Sequence, residues 1–299
     1  MNDMNKATLD YYVELIDNKL LELTHSKPEL QGQVVEAMEY SLQAGGKRLR
    51  PVLMLEFCRM CGERQPEKYA EIACSIELIH TFSLIHDDLP CMDDDDYRRG
   101  RLTTHKVFGE DFGILAGDAL LNYAYEVMTS AVCAASPENM KNCAGAAAVI
   151  ARKAGIFGMV GGQSLDVLLT DKPVNEKEME FIFNLKTGAL IEAAFMAGAI
   201  LAGAGKECVS QLEKAGNLVG VAFQIKDDIL DVTSTQEVLG KPVFSDEKNN
   251  KTTYVKLYGM EKAVADVENM SEKAESIVKS IGDNEFLIEL INKLISREK

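Results

Sequence analysis

Apolar residues recur along most of the chain at helical spacing. In YYVELIDNKLLEL they fall at positions 12, 13, 15, 16, 20, 21 and 23, close to the about 3.6-residue repeat of one helix face. Similar stretches run over about 33–44, 50–62, 67–89, 112–134, 139–157, 175–202, 206–232, 259–280 and 283–297. The separators carry breakers, among them GGKRLRP, CGERQPEK, CAASPEN, TDKPVNEKE, LGKPVFSDEKNN and SIGDN. No alternating run bounded by hairpin turns stands out. The pattern therefore predicts an all-α chain of about ten core helices and no sheet. Small residues, as in CAGAAAVIARKAG, allow close helix approach and suit a tight bundle. No linker is long or biased enough to divide residues 1–299, so one domain is expected.

Composition narrows the function. With 46% hydrophobic residues the chain has ample core, and a net charge of -15 argues against a nucleic-acid partner. The stretch MNDMNKATLDYYVELIDNKL has no apolar centre or cleavage site, so no signal peptide is expected. The longest apolar run, GALIEAAFMAGAILAGAG at 188–205, is interrupted by Glu192 and rich in small residues. It is expected as a buried helix, and no membrane span is expected. The seven cysteines are scattered, and the lone CRMC pair lacks a second ligand pair. A cytoplasmic protein with reduced thiols fits.

Charge is concentrated in places. HDDLPCMDDDDYRRG, residues 86–100, holds six aspartates and two arginines. At about 100° per residue, His80, Ser83, Leu84 and Asp87 share a helix face, with Asp88 on its flank. Pro90 disfavours further helix, so both carboxylates fall at a helix C-terminus. That end carries partial negative charge, and a cation is expected beside them. In FQIKDDILD, Gln224, Asp227, Asp228 and Asp231 follow i, i+3, i+4, i+7 spacing among apolar residues. Two such helices facing a cavity would suit a hard cation with oxygen ligands. Mg²⁺ fits best, because it keeps waters and bridges carboxylates to phosphates. Neither cluster has the EF-hand spacing that Ca²⁺ would need.

Positive charge collects in GGKRLRP, with Lys47, Arg48 and Arg50, and in YRRGR, with Arg98, Arg99 and Arg101. Arginine forks match phosphate oxygens, lysine supplies a point charge, and Gly45 and Gly46 permit close backbone approach. Metal-bound carboxylates would hold one diphosphate, and these cations are expected to hold another. No P-loop, dinucleotide fingerprint or nucleophile triad is evident.

Six motifs in order, GGKRLRP, HDDLPCMDDDDYRRG, GGQSLDV, KTGAL, FQIKDDILD and GKPVFSD, closely resemble the trans-isoprenyl diphosphate synthases, in particular the bacterial farnesyl diphosphate synthases. The resemblance covers about residues 40–260 and implies a single polyprenyl synthetase domain, with helices around a deep central cavity, in a homodimer. It implies that Asp87, Asp88 and Asp93, with Asp227, Asp228 and Asp231, bind Mg²⁺, expected as three ions with Mn²⁺ as a substitute. Arg98, Lys186 and Lys241 match contacts to the allylic diphosphate, and Thr187 and Gln224 match positions nearby. Gly46, Lys47, Arg50, His80 and Arg99 match the pocket for isopentenyl diphosphate. The implied reaction is head-to-tail condensation of isopentenyl diphosphate with dimethylallyl or geranyl diphosphate. By the same resemblance, Asp87, Asp88, Asp227, Lys186, Thr187 and Gln224 are expected to carry its catalytic step. Ionisation makes an allylic cation that must be kept from water, by positioning and electrostatics rather than by an enzyme nucleophile.

Chain length is expected to depend on depth below the first motif. Ser83 and Phe82 lie four and five residues before Asp87, about 6–7.5 Å deeper at helical rise. A helical wheel places Ser83 under Asp87 and Phe82 about 140° away, so geometry alone does not make Phe82 the floor. The resemblance does: farnesyl synthases of this type carry an aromatic there, with two extra residues inside the motif, as in Leu89–Met92. A mainly C15 product is expected, with a geranylgeranyl synthase as the alternative. A class I terpene cyclase has no need of GGKRLRP, and a non-catalytic synthase subunit tends to lose an aspartate motif that this chain keeps. An acidic helical scaffold would show no metal dependence.

Overall fold

The structure is a computed structural model that describes residues 1–25, 30–233 and 252–295. Helices α1 (Asp3–Thr24), α2 (Gly32–Leu42), α3 (Leu49–Met60) and α4 (Ala70–Asp87) lead into a short ribbon, β1 (Tyr97–Arg98) and β2 (Arg101–Leu102). Then come α5 (Thr104–Phe108), α6 (Glu110–Ala134), α7 (Pro137–Ala154), α8 (Met159–Leu168), α9 (Glu176–Ile182), a π turn (Phe183–Gly188), α10 (Ala189–Leu201) and α11 (Lys206–Thr233). The described chain ends with α12 (Tyr254–Tyr258), α13 (Met260–Ile281) and α14 (Glu285–Ile295). The all-α class holds, and buried apolar residues from Leu9 to Ile295 join in one cluster.

Two expectations need correction. A sheet exists, though only as an antiparallel pair in which Tyr97 faces Leu102 and Arg98 faces Arg101. Two-residue strands are too short to show alternation. Their turn, Arg99-Gly100, has φ of 54° and 76°, as a tight hairpin turn requires. Nor is 175–202 one regular helix. It breaks into α9, the π turn and α10, and π turns of this kind are frequent at functional sites. GGQSLDV, for which no element was predicted, lies within α8.

Most of the apolar run 188–205 forms α10, whose residues Ala189 to Phe195 are all buried. Glu176–Leu201 and Pro137–Leu168 are long and apolar enough to cross a membrane, with 67% and 33% of the apolar window buried in the fold. Close contact shapes the bundle in the core and beside the π turn. Gly198 of α10 lies against the Met54 carbonyl of α3, and Gly220 of α11 lies against Gly188. A side chain at either glycine would drive the helices apart.

Candidate functional site

Helix α4 ends at Asp87, and the chain then folds back over its last turn. Asp88 N–H donates to the Leu84 carbonyl at 3.1 Å, and Asp93 N–H donates to the Asp87 carbonyl at 2.9 Å. The loop thereby satisfies a helix end that would otherwise expose its carbonyls. The ribbon carries Arg98 to Asp88. Its Nε lies 2.9 Å from Asp88 Oδ1, and its Nη2 bonds the same oxygen. Burial pushes the Asp88 carboxyl up to about 6, against the pull of Arg98.

The two acidic helices meet at a cavity of about 560 Å³. Asp87 of α4 and Asp227 of α11 both line it, with Lys186 and Thr187 of the π turn and Gln224 of α11. Gln163 of α8 donates through Nε2 to Asp87 Oδ1 at 2.8 Å. Lys186 Nζ pairs with Asp166 of α8 at 2.6 Å, and Thr187 Oγ1 donates to Gln224 Oε1 at 2.8 Å. The rest of the lining is largely apolar: Phe82, Leu84, Met92, Met159, Val160, Val167, Leu190 and Phe223. Phe82 and Ser83 both reach this wall, although they sit on different sides of α4.

A second cavity, of about 550 Å³, is lined by Gly46, Lys47, Arg50, His80 and Arg99. All five residues expected around the second diphosphate are therefore together. Arg50, His80 and Phe223 line both cavities, so these residues form the common wall. Arg99 donates to the Gly45 carbonyl and packs over Gly46, where a Cβ would sit 2.8 Å from its Nη1. A side chain at Gly46 would have to displace that guanidinium. Arg48 is not exposed with its neighbours. It is buried, pairs with Asp17 and Glu77 at 2.7 Å each, and caps α3. Burial, then the charges of Arg50 and Arg99, hold His80 well below the usual imidazole range. The ring is neutral at pH 7 and can both donate and accept.

Other expected residues lie elsewhere. Asp88 and Arg98 line a smaller pocket on the ribbon side of α4 rather than the large cavity. Asp93 is half-buried in the turn after α4. Asp228 is buried, accepts the Tyr254 N–H at 2.7 Å, and borders a pocket with Lys186, Thr187 and Gln224. Asp231 is buried in the packing of α11. Lys241 lies outside the described residues. Among those residues, one trio of side chains brings ligating atoms within 4.8 Å of one another: Asp94, Asp96 and His105. Asp96 there already pairs with Lys106 at 2.7 Å.

The carboxylates fit a hard cation. Asp87 and Asp227 supply oxygen donors on two helices around one cavity, and Asp88, Asp93 and Asp228 stand close by in sequence. Sequence reasoning did not single out Gln163 or Asp166, which hold Asp87 and Lys186. Their signal was present: three residues apart in GGQSLDV, they share a helix face.

The profile of the polyprenyl synthetase family matches residues 31–291. A geranylgeranyl pyrophosphate synthase from Capsicum annuum is 47% identical over 76% of this chain, and the match spans 61% of that protein's own length. A farnesyl diphosphate synthase from Geobacillus stearothermophilus is 45% identical over 75% of each chain. A geranyltransferase from Helicobacter pylori, solved with magnesium and isoprenyl diphosphate, superposes with a TM-score of 0.82 at 29% identity, over 99% of this chain and 98% of that one.

Proposed function

Because the chain belongs to the polyprenyl synthetase family, we propose that it joins isopentenyl diphosphate head-to-tail to an allylic diphosphate, dimethylallyl or geranyl, and releases diphosphate. One observation carries this reading. A carboxylate-walled cavity and a cation-walled cavity share Arg50, His80 and Phe223. Two diphosphates bound in them would bring their hydrocarbon ends to a common wall.

In this reading Asp87 and Asp227, with Asp88, Asp93, Asp228 and Asp231, hold Mg²⁺. The bound ion supplies Lewis-acid neutralisation of a departing diphosphate. Lys186 leaves Asp166 to contact the allylic diphosphate, and Arg98 and Lys241 are assigned to the same group. Lys47, Arg50 and Arg99 hold the isopentenyl diphosphate, beside a neutral His80 that adds a hydrogen bond without further charge. The Thr187 hydroxyl and Gln224 amide, fixed to one another at 2.8 Å, place dipoles where positive charge develops on the allylic carbons. The apolar lining keeps water from that cation. The departed diphosphate takes the final proton, so no protein base is assigned.

Farnesyl diphosphate is the proposed main product, because Phe82 lines the cavity beside Ser83, with its ring edge-on to His86 at 5.3 Å. The pepper relative keeps a C20 product as the second reading. A terpene cyclase would leave the cavity of Lys47, Arg50 and Arg99 without a role. A single domain, a homodimer and a cytoplasmic location complete the proposal. The test is purified protein with labelled isopentenyl diphosphate and dimethylallyl or geranyl diphosphate, with and without Mg²⁺. Mg²⁺-dependent farnesyl product supports the reading. Failure to form any longer prenyl diphosphate overturns it.

A further inference from the structure

Behind Lys186 and Thr187 lies a polar strut inside the helical core. Glu192 of α10 is buried, 4% exposed. Its Oε2 accepts from Lys153 of α7, and its Oε1 accepts from Asn217 Nδ2 of α11 at 2.8 Å. The same Nδ2 donates to Asn184 Oδ1 at 3.0 Å, and Asn184 is the second residue of the π turn. One amide nitrogen thus ties the turn to a buried carboxylate.

Two glycines hold the turn from outside, and a third seats the start of α10 beside it. A Cβ at Gly162 of α8 would overlap the Lys186 backbone nitrogen. One at Gly220 would overlap Gly188, and one at Gly216 would sit 2.8 Å from the Glu192 Cα. The backbone of the π turn is therefore seated directly on α8 and α11. A π turn has an extra residue over regular helix, and its geometry persists only where the surroundings impose it. A buried glutamate is costly unless it is fully paired. The reading of Glu192 as a mere interruption of an apolar run leaves that cost unexplained.

We propose that Asn217 and Glu192 are positioning residues. They fix the register of the π turn so that Lys186 and Thr187 face the cavity on the same side as Gln224. The proposal rests on the functional reading above for its consequence in turnover, but the structural claim stands on the turn alone.

The test is Asn217→Asp in the full chain, alone and combined with Glu192→Gln. The single variant sets a second carboxylate against Glu192. The double variant restores the hydrogen-bond chain with donor and acceptor exchanged, once the Asn184 amide turns over. Amide hydrogen exchange is followed by peptide across the chain, together with kcat and KM for each substrate. In the single variant exchange should quicken at 183–188 while α4 stays protected. Its kcat should fall by about a hundredfold, as expected for an ångström-scale misplacement, with KM for isopentenyl diphosphate within about twofold of wild type, since that cavity lies away from the turn. The double variant should recover most of both losses. Wild-type exchange at 183–188 in the single variant would overturn the proposal. So would quickened exchange spread over the whole chain, or a double variant no better than the single. Exchange needs no turnover, so an inactive wild type would overturn the functional reading alone and leave this test intact.

Discussion

Arg98 and Asp88, ten residues apart, close the loop after α4 through an ion pair with Nε 2.9 Å from Oδ1. The aspartate is 5% exposed and the guanidinium 31%, so the pair lies between the buried and surface limits. Asp95 adds a longer contact to the same guanidinium, at 3.3 Å. The ribbon thereby returns a cation to the most buried of six neighbouring aspartates, while Lys106 pairs with Asp96.

Removing that cation should cost both stability and function. Arg98→Gln leaves a buried carboxyl whose pKa already stands at about 6 and should rise further without its partner. Stability at pH 7 should fall by about 2 kcal/mol, between the exposed and buried ion-pair values. Chemical denaturation of Arg98→Gln and Arg98→Lys measures this, with Lys recovering part of the loss. Equal midpoints for all three proteins would show that the pair contributes nothing.

Phe82 is 7% exposed and lines the cavity one turn below Asp87. Phe82→Ala opens space on that wall and should shift product from C15 toward C20 and longer. Chromatography of dephosphorylated products reads the shift. The truncation should also lower stability by about 3 kcal/mol, so the assay is run below the variant's unfolding range. An unchanged product length would remove Phe82 from the floor.

The pH dependence of stability should carry a signature of His80. The unfolded chain takes up a proton near pH 6.5, about the ordinary value. The folded chain refuses it until well below, because of burial and then the charges of Arg50 and Arg99. Between those two pH values the unfolded state binds more protons, so stability falls as pH falls, by at most about 1.4 kcal/mol per pH unit from this group. Above about pH 6.5 the group adds no slope. Denaturation of wild type and His80→Asn between pH 7.5 and 5 should show a shallower decline in the variant. Parallel declines would place His80 in contact with water.

The legible parts of the site were those that lie along a single helix or loop. GGKRLRP placed Lys47 and Arg50 together, and FQIKDDILD placed Asp227 and Gln224 on one face, because local spacing fixes both. The helical pattern set Asp88 on the flank of the face that holds Asp87, but did not show what it meets there. One faces the ribbon and the other the cavity, and only the position of Arg98 decides which. Phe82 shows the limit of a helical wheel. The cavity touches α4 at His80, Phe82, Ser83, Leu84, His86 and Asp87, so it wraps a wide arc and a residue about 140° from Asp87 still reaches it. The π turn was illegible because FNLKTG reads as ordinary helix. Its extra residue is imposed by Gly162, Gly220 and Asn217, which are distant in sequence.

The most direct measurement is the turnover of wild type, Asp87→Ala and Asp227→Ala as Mg²⁺ is titrated, with far-ultraviolet circular dichroism to confirm the helical fold. Wild type should require the ion. Each variant should lose about a thousandfold in rate, the equivalent of several kcal/mol of transition-state charge stabilisation, with its helical signal intact. Near-wild-type rates in both folded variants, or turnover in wild type that does not depend on Mg²⁺, would contradict the account.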